Sequence, residues 1–544
     1  MPLIRNPILP GFNPDPSVIR VGEDYYIATS TFEWFPGVQI HHSRDLVHWQ
    51  VITHPLSRTS QLDMTGNPDS GGVWAPCLSY HEGTYYLVYT DVKSHMGPFK
   101  DTHNYVVTAQ DIRGPWSEPV YLNSSGFDPS LFHEEDGSKW VVNLTWDHRK
   151  GRNPFGGIVI QEYSEERKEL VGPIRKIFDG TSLGLTEGPH IYRANGYYYL
   201  LTAEGGTRLG HAATVARAKT LFGPYEADPS GPLLTSRDQP ELALQKAGHA
   251  CLLETPQDGL YIVHLCGRPL RPSGSCTLGR ETAIQKCEWT EDGWLALAGG
   301  GSAPEVLVEG PQVEEHIFEE EPETEHFTGG AFSIHLHSLR GPVTEDWATV
   351  NERPGFLRVY GRESLYSKHK QSLIARRQQS FGAEAETALE FAPESYQQMA
   401  GLVYYYNTNN YYYLFLSRDE QAGLSVGIMS SSRGVYDEPL AAPVSTQGWT
   451  RCHLKAVIDH ESLQFYYSKD AVEWQPVGGT LDAATISDEN AEWVKDGFAL
   501  DQGFTGAFLG ICVQDLSGRR LHADFDYFTY RETGHITDKD KENT

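Results

Sequence analysis

Cysteine is scarce in this chain, with seven among 544 residues. They stand at Cys77, Cys251, Cys266, Cys276, Cys287, Cys452 and Cys512, with no CxxC pair. An odd, scattered set excludes a disulfide framework and a zinc cluster of ordinary spacing. It leads us to expect a reducing compartment. Long apolar runs are missing as well: no stretch approaches the roughly 18 residues that mark a membrane-spanning helix. The opening MPLIRNPILPGF has no basic segment leading into an apolar core and a small-residue cleavage site, so we read no secretory signal there and expect a cytoplasmic protein. Positive charge is outnumbered, 44 Lys and Arg against 72 Asp and Glu, for a formal net charge of −28. Nucleic acid and anionic membrane, both polyanions, are therefore not expected partners.

Aromatic residues are plentiful, at 12% of the chain with 29 Tyr and 12 Trp. They pack sheet faces and they stack on sugar rings; composition does not separate the two uses. The stretch GFNPDPS places Asp15 between two prolines. Proline fixes its own φ and keeps the preceding residue out of the right-handed helical region, so Asp15 is expected in an extended or turn conformation. Alone, the stretch reads as a turn.

The motif recurs in shape. Five segments open on a polar or aromatic residue beside Pro, Ala or Gly and continue as an apolar run, a tight turn and an alternating aromatic run. They begin at Asp15, Trp74, Asp128, Glu187 and His249. Their turns, Gly22-Glu23-Asp24, Glu82-Gly83, Asp136-Gly137, Asn195-Gly196 and Asp258-Gly259, carry hairpin chemistry. Four short strands in each of five such units predict a five-bladed β-propeller over residues 1–305. Inner strands of blades line one axis, so the five opening residues are expected to converge at one end of it. The acidic, proline-punctuated segment 306–327 reads as a linker or crossover. Residues 328–532 alternate with period two and predict an antiparallel β-sandwich, which resembles lectin-like folds. Residues 533–544 form a polar tail. The fold class is all-β.

Three carboxylates in one pocket suit glycoside hydrolysis. One must be protonated to assist the leaving oxygen; the other activates water or attacks the sugar. A neighbouring carboxylate raises the acid's pKa. The competing use is a metal site, since three carboxylates and a histidine can hold Ca²⁺ or Mn²⁺.

The ordered set NPILPGFNPDPS, STFEWFPGVQIHHSRDL, GGVWAPCLSYHEGTYYLVYTDVK, GFDPSLFHEEDG, LTEGPHIYRANGYYYLLTAEGGT, AGHACLLETPQDGLY, TLGRETAIQKCEW and QGFTGAFLGICVQDL resembles glycoside hydrolase family 43, in particular its two-domain β-xylosidases. The resemblance implies a propeller followed by a sandwich, and hydrolysis with inversion. By resemblance Asp15 is the general base, Glu187 the general acid, and Asp128 the residue that tunes and orients it. Arg280 contacts the sugar, His249 lies beneath the pocket, and Trp74, Phe32 and Thr207 line it. Phe504, on a sandwich loop, closes it. Trp146 is left open between blade packing and a sugar platform. The five-bladed relatives that cleave fructosides start on Asn-Asp-Pro-Asn and carry a Glu-Cys acid, which this chain lacks.

The resulting expectation is an exo-acting, inverting β-1,4-xylosidase acting on xylooligosaccharides. Its rivals are an α-L-arabinofuranosidase and, from another class, a non-catalytic carbohydrate-binding propeller. No cofactor is expected to be required; a divalent cation such as Ca²⁺ near His249 or in the sandwich stays open. The resemblance also suggests a homo-oligomer, a dimer or tetramer.

Overall fold

The computed structural model describes residues 2–256, 259–330, 332–495 and 498–534. Asp258 of the fifth expected turn and the tail from residue 535 onward lie outside them. The described residues are almost entirely β.

Five sheets form from consecutive sequence. The first blade holds Ser17–Val21, Asp24–Thr29, Gln39–Ser43 and Gln50–Thr53; the second Gly72–His81, Thr84–Ser94, Asp101–Ala109 and Val120–Asn123; the third Ser130–His133, Lys139–Trp146, Phe155–Ser164 and Glu169–Phe178. The fourth holds Glu187–Ala194, Tyr197–Glu204, Ala212–Ala218 and Glu226–Ala227, with Leu234–Thr235 added beside Ala212–Ala218. The fifth holds Gln245–Glu254, Leu260–Gly267, Arg280–Trp289 and Leu295–Leu297. Neighbouring blades adjoin through their first strands, and the fifth adjoins the first, which closes a five-bladed propeller. The expected turn chemistry is visible at Glu82-Gly83 and Asn195-Gly196, where both residues have positive φ as a two-residue I′ hairpin requires.

The chain's start fastens this ring. Leu3–Arg5 pairs with Leu307–Glu309, so part of the segment expected as a linker is sheet. Leu9 and Thr282 exchange backbone hydrogen bonds of 3.1 and 3.2 Å. The Asn6 side chain donates to Ile284 O (2.7 Å) and accepts from Ile284 N (2.8 Å). The segment leading to Asp15 is thereby tied to the strand that carries Arg280.

Residues beyond the crossover form two antiparallel sheets. One is built on Gly382–Glu390, Cys452–Asp459, Ser462–Ser468 and His522–Glu532, and Thr324–Glu325 joins its edge through His522–Glu532. The other is built on Gln398–Asn407, Asn410–Asp419, Gly423–Ser432, Phe508–Asp515 and Ser372–Arg377, continuing through His337–Leu339 to Trp34–Phe35. Trp34 and Phe35 come from the first blade, so the sandwich sheet runs into the propeller. Strand Gln398–Asn407 is buried on both faces. Leu402, Tyr404 and Tyr406 fill the sandwich core, whereas Val403 and Tyr405 join a core containing Phe12, Trp34, Trp74 and Phe508. Trp34 stacks on Phe508 with ring centroids 3.7 Å apart. A buried Arg340–Asp69 ion pair (2.6 Å) crosses the same boundary.

Candidate active site

One local backbone device repeats at the top of every blade. Asp15, Ala75, Asp128, Gly188 and His249 all have positive φ, between 36° and 56°. Each precedes Pro16, Pro76, Pro129, Pro189 or Ala250 and bends the start of an innermost strand. In the second, fourth and fifth blades the ladder register slips there, as a β-bulge does. In the first and third, hydrogen bonds from Ser30 N to Pro14 O (3.1 Å) and from Leu144 N to Phe127 O (3.2 Å) resume the pairing beyond the bend. A bulge also accommodates proline's missing N–H. The expectation for Asp15 is narrowed: it takes a left-handed turn conformation, two residues before its strand begins. The expected equivalence of the five openers is corrected by one residue in two blades. Ala75 and Gly188 hold the position that Asp15, Asp128 and His249 hold elsewhere, and Trp74 and Glu187 stand one residue before it. Holding a non-glycine residue in such a conformation costs about 1–3 kcal/mol, a strain typical of functional positions.

The consequence is a cavity of about 430 Å³ at the end of the propeller axis. The structure brings together all nine residues singled out from sequence: Asp15, Phe32, Trp74, Asp128, Glu187, Thr207, His249, Arg280 and Phe504 line it. The three carboxylates are buried, each less than a tenth exposed. Asp15 Oδ2 accepts from the Ser30 hydroxyl (2.7 Å), and that hydroxyl accepts from Ala75 N (2.8 Å). Its other oxygen faces Arg280 Nη1 at 3.3 Å and His249 Nδ1 at 3.7 Å. Burial holds the His249 imidazole below its usual pKa, so it is neutral beside Asp15.

Asp128 and Glu187 form a coupled pair. Burial raises the pKa of both, and the repulsion of the neighbouring carboxylates adds to it. Asp128 Oδ2 accepts the Gly188 N–H at 3.0 Å, which favours its ionised form. The stronger upward push falls on Glu187, from burial first and then from the charges of Asp128 and Asp15. Gly188 suits this hinge twice over: its φ is 56°, and a Cβ there would lie 3.1 Å from the His249 ring.

The sandwich reaches the cavity through the loop around Phe504. Arg280 Nε and Nη2 donate to Phe504 O at 3.2 and 3.0 Å. The Phe504 ring lies 5.9 Å from Phe32 and 5.8 Å from Trp74. Its flanking glycines are required by close approach: a Cβ on Gly503 would meet Asp488 O at 2.1 Å, and one on Gly506 would meet Leu278 O at 2.7 Å. A Cβ on Gly279 would meet Thr505 O at 1.9 Å.

Sequence reasoning missed Lys100, His95 and Phe127, which also line the cavity, and left Trp146 open. Trp146 lies on the cavity wall, with Lys100 Nζ 4.5 Å over its ring. Lys100 donates to His95 O (2.6 Å), and burial pulls its pKa down to about 8 against the attraction of Glu187. Lys100 and His95 come from the turn between two second-blade strands, outside the repeated openers, and no short motif marks them.

The competing metal use can be weighed against the donors present. Asp15 already faces the Arg280 guanidinium. Among the described residues, one group of three metal-capable side chains converges, Cys276, Asp488 and Glu489. The Lys246 ammonium sits 2.9 Å from Asp488 and 2.7 Å from Glu489, so both carboxylates already have a cationic partner. A thiol beside them does not suit a hard cation such as Ca²⁺. All seven cysteines are free and buried. Among the described residues, no helix is long and apolar enough to cross a membrane.

Comparison with known proteins agrees with this architecture. Residues 4–295 match the model of glycosyl hydrolases family 43, and residues 324–531 match a beta xylosidase C-terminal Concanavalin A-like domain. The chain is 49% identical to a protein of Humicola insolens named xylosidase/arabinosidase 43B, over 99% of each chain. It is also 49% identical to a beta-xylosidase of Bacillus subtilis, over 97% of this chain and 99% of that one. A crystal structure of xylan beta-1,4-xylosidase from Bacillus halodurans superposes with a TM-score of 0.94 at 57% identity, covering 97% of this chain and all of that one. Two matched domains in order and near-complete coverage at this identity leave one conclusion: the chain belongs to glycosyl hydrolases family 43.

Proposed function

We propose that this protein is an exo-acting β-1,4-xylosidase that removes single xyloses from the non-reducing ends of short xylooligosaccharides, with inversion. The observation that carries the reading is the convergence of three buried acids, Asp15, Asp128 and Glu187, on one cavity. Glu187, which takes the stronger upward push in pKa, is the general acid for the leaving oxygen. Asp15, set against Arg280 and Ser30, is the carboxylate that takes a proton from the attacking water. Asp128 keeps Glu187 protonated by its charge and anchors the Gly188 hinge by its hydrogen bond. Inversion needs a base and an acid on opposite sides of the anomeric carbon, roughly 6.5 to 9.5 Å apart to admit water.

The cavity is at the small end of ligand sites, and Phe504 with Phe32, Trp74 and Phe127 walls it with aromatic faces. That shape favours one sugar unit inside, with the rest of the chain outside, and hence exo action. These steps call for no cofactor. A homo-oligomer, dimer or tetramer, is our proposal for its assembled state.

Xylotriose hydrolysis followed by NMR tests the reading. The expected first product is α-xylose together with xylobiose. Release of the β-anomer would refute inversion, and internal cleavage patterns from longer chains would refute exo action. A second reading, α-L-arabinofuranosidase activity alongside the first, is favoured by the dual name of the Humicola relative. The ratio of kcat/KM on nitrophenyl xyloside and arabinofuranoside ranks the two, with the xyloside expected to be higher.

A further inference from the structure

Arg377 is the last residue of the sandwich strand Ser372–Arg377, and only 2% of it is exposed. Its Nη1 is satisfied: it donates to Gln39 Oε1 and, at 2.9 Å, to His337 Nε2. Its Nε and Nη2 are buried and have no hydrogen-bond partner. These two N–H groups point the same way, forming the fork with which arginine grips an anion side-on. The phenyl rings of Phe12 and Phe508 lie near the guanidinium, 5.6 and 5.5 Å from its carbon.

The groups around this fork are one-sided in kind. The titratable groups felt here are His41, His54, His335, His337 and Arg376, all basic in kind. Glu321 is the acid of the neighbourhood, and it is paired with His335. Burial holds His41, His54 and His337 below the usual imidazole range, His54 at about 3, and it pulls Arg377 itself to about 9. His337 accepts from Arg377 through Nε2, so its ring proton sits on Nδ1. That Nδ1 is also buried without a partner. Two unpartnered donors from Arg377 and one from His337 thus stand together, with His54 Nε2 unpartnered in the adjoining ring. A buried cation without a counter-charge is among the most destabilising arrangements a protein can hold.

We propose that a small monovalent anion, chloride in ordinary salt, binds the Nε–Nη2 fork of Arg377 at the boundary of propeller and sandwich. The site is distinct from the cavity of the three acids but connected to it. Gln39, gripped by Arg377, donates through Nε2 to Asn13 Oδ1 at 2.9 Å. Asn13 stands two residues before Asp15, and its N–H donates to Arg280 O at 2.9 Å. An anion that fixes Arg377 therefore steadies the mount of Asp15. The binding claim stands apart from the hydrolase reading; the link to kcat rests on it.

The test uses the full-length protein exchanged into gluconate and titrated with chloride at constant ionic strength. A saturable rise in Tm of about 2 °C is expected, since a ligand that binds the native state stabilises it. kcat on nitrophenyl xyloside should rise over the same chloride range. The R377M variant should lose both responses. Because that variant risks misfolding, bromide-soaked crystals of the unaltered protein supply the independent measurement. An anomalous peak at the Arg377 fork is expected. Absence of that peak, with Tm indifferent to halide, would overturn the site and leave water as the occupant. A bromide peak with kcat indifferent would overturn the link to Asp15.

Discussion

The propeller and the sandwich contribute to one cavity by opposite means. The propeller works by repetition: five bends with left-handed residues, one per blade, bring five neighbouring side chains to one end of the axis. Asp15, Asp128 and Glu187 owe their meeting to that recurrence, although they are far apart in sequence. The sandwich works by a single intrusion. Its large, mostly β body offers one loop, and within it one carbonyl and one phenyl ring, to Arg280, Phe32 and Trp74. Chemistry that rides on a repeated backbone device is written in short motifs. Closure that rides on a tertiary contact is written only in the packing between domains.

Removing either reacting carboxylate should test the propeller's side most severely. D15A and E187A are each expected to lower kcat by about 10²–10⁴, the usual weight of a positioned acid or base. Circular dichroism should be unchanged. The two should part on leaving group: an activated aryl xyloside needs little protonation, so E187A should recover much of its rate there and D15A should not. Equal losses on both substrates would remove the assignment of base and acid.

On the sandwich's side a smaller effect is expected. F504A deletes the ring but leaves the backbone carbonyl that holds Arg280. KM should rise on the order of tenfold, the scale of one lost aromatic contact and its packing, with kcat changed less. A kcat loss as deep as that of D15A would mean that the sandwich shares in the chemistry, and the contrast between the two domains would fail.

How much of this was legible follows the same divide. The blades were readable because hairpin turns such as Asn195-Gly196 and the alternating runs beside them are local signals. The acids were readable because Asp-Pro and Glu-Gly-Pro sit at those signals. Their exact register was not: Glu187 and Trp74 looked equivalent to Asp15, but φ is positive one residue later, at Gly188 and Ala75. Lys100 and His95 were illegible, since a turn between strands of one blade carries no mark of where it will lie. The run LVYYYNTNNYYYLFL lies in the alternating region that predicts the sandwich. Tyr405 is buried as fully as Tyr404 and Tyr406, because its face of the sheet meets the propeller through Trp34. No single-domain pattern foretells that second burial. Phe504 was found by resemblance alone; its glycine neighbours make physical sense only once the opposing carbonyls are known.

The finest test lies within the propeller, in the pair Asp128 and Glu187. An ionised Asp128 makes it harder to place a second charge on Glu187, so Glu187 keeps its proton to higher pH. D128N removes that charge while its amide oxygen can still accept the Gly188 N–H. The sign follows directly: without the neighbouring charge, Glu187 ionises at lower pH, and the form able to donate a proton is lost sooner as pH rises. The alkaline limb of kcat/KM should therefore move to lower pH by roughly one unit. Burial still holds Glu187 above an ordinary carboxylate, so the limb should stop short of the free-solution value. A profile that keeps its alkaline limb in place while the maximum falls would make Asp128 a hinge for Gly188 and nothing more. The tuning of the acid would then come from burial alone, not from the repetition that brings a second carboxylate beside it.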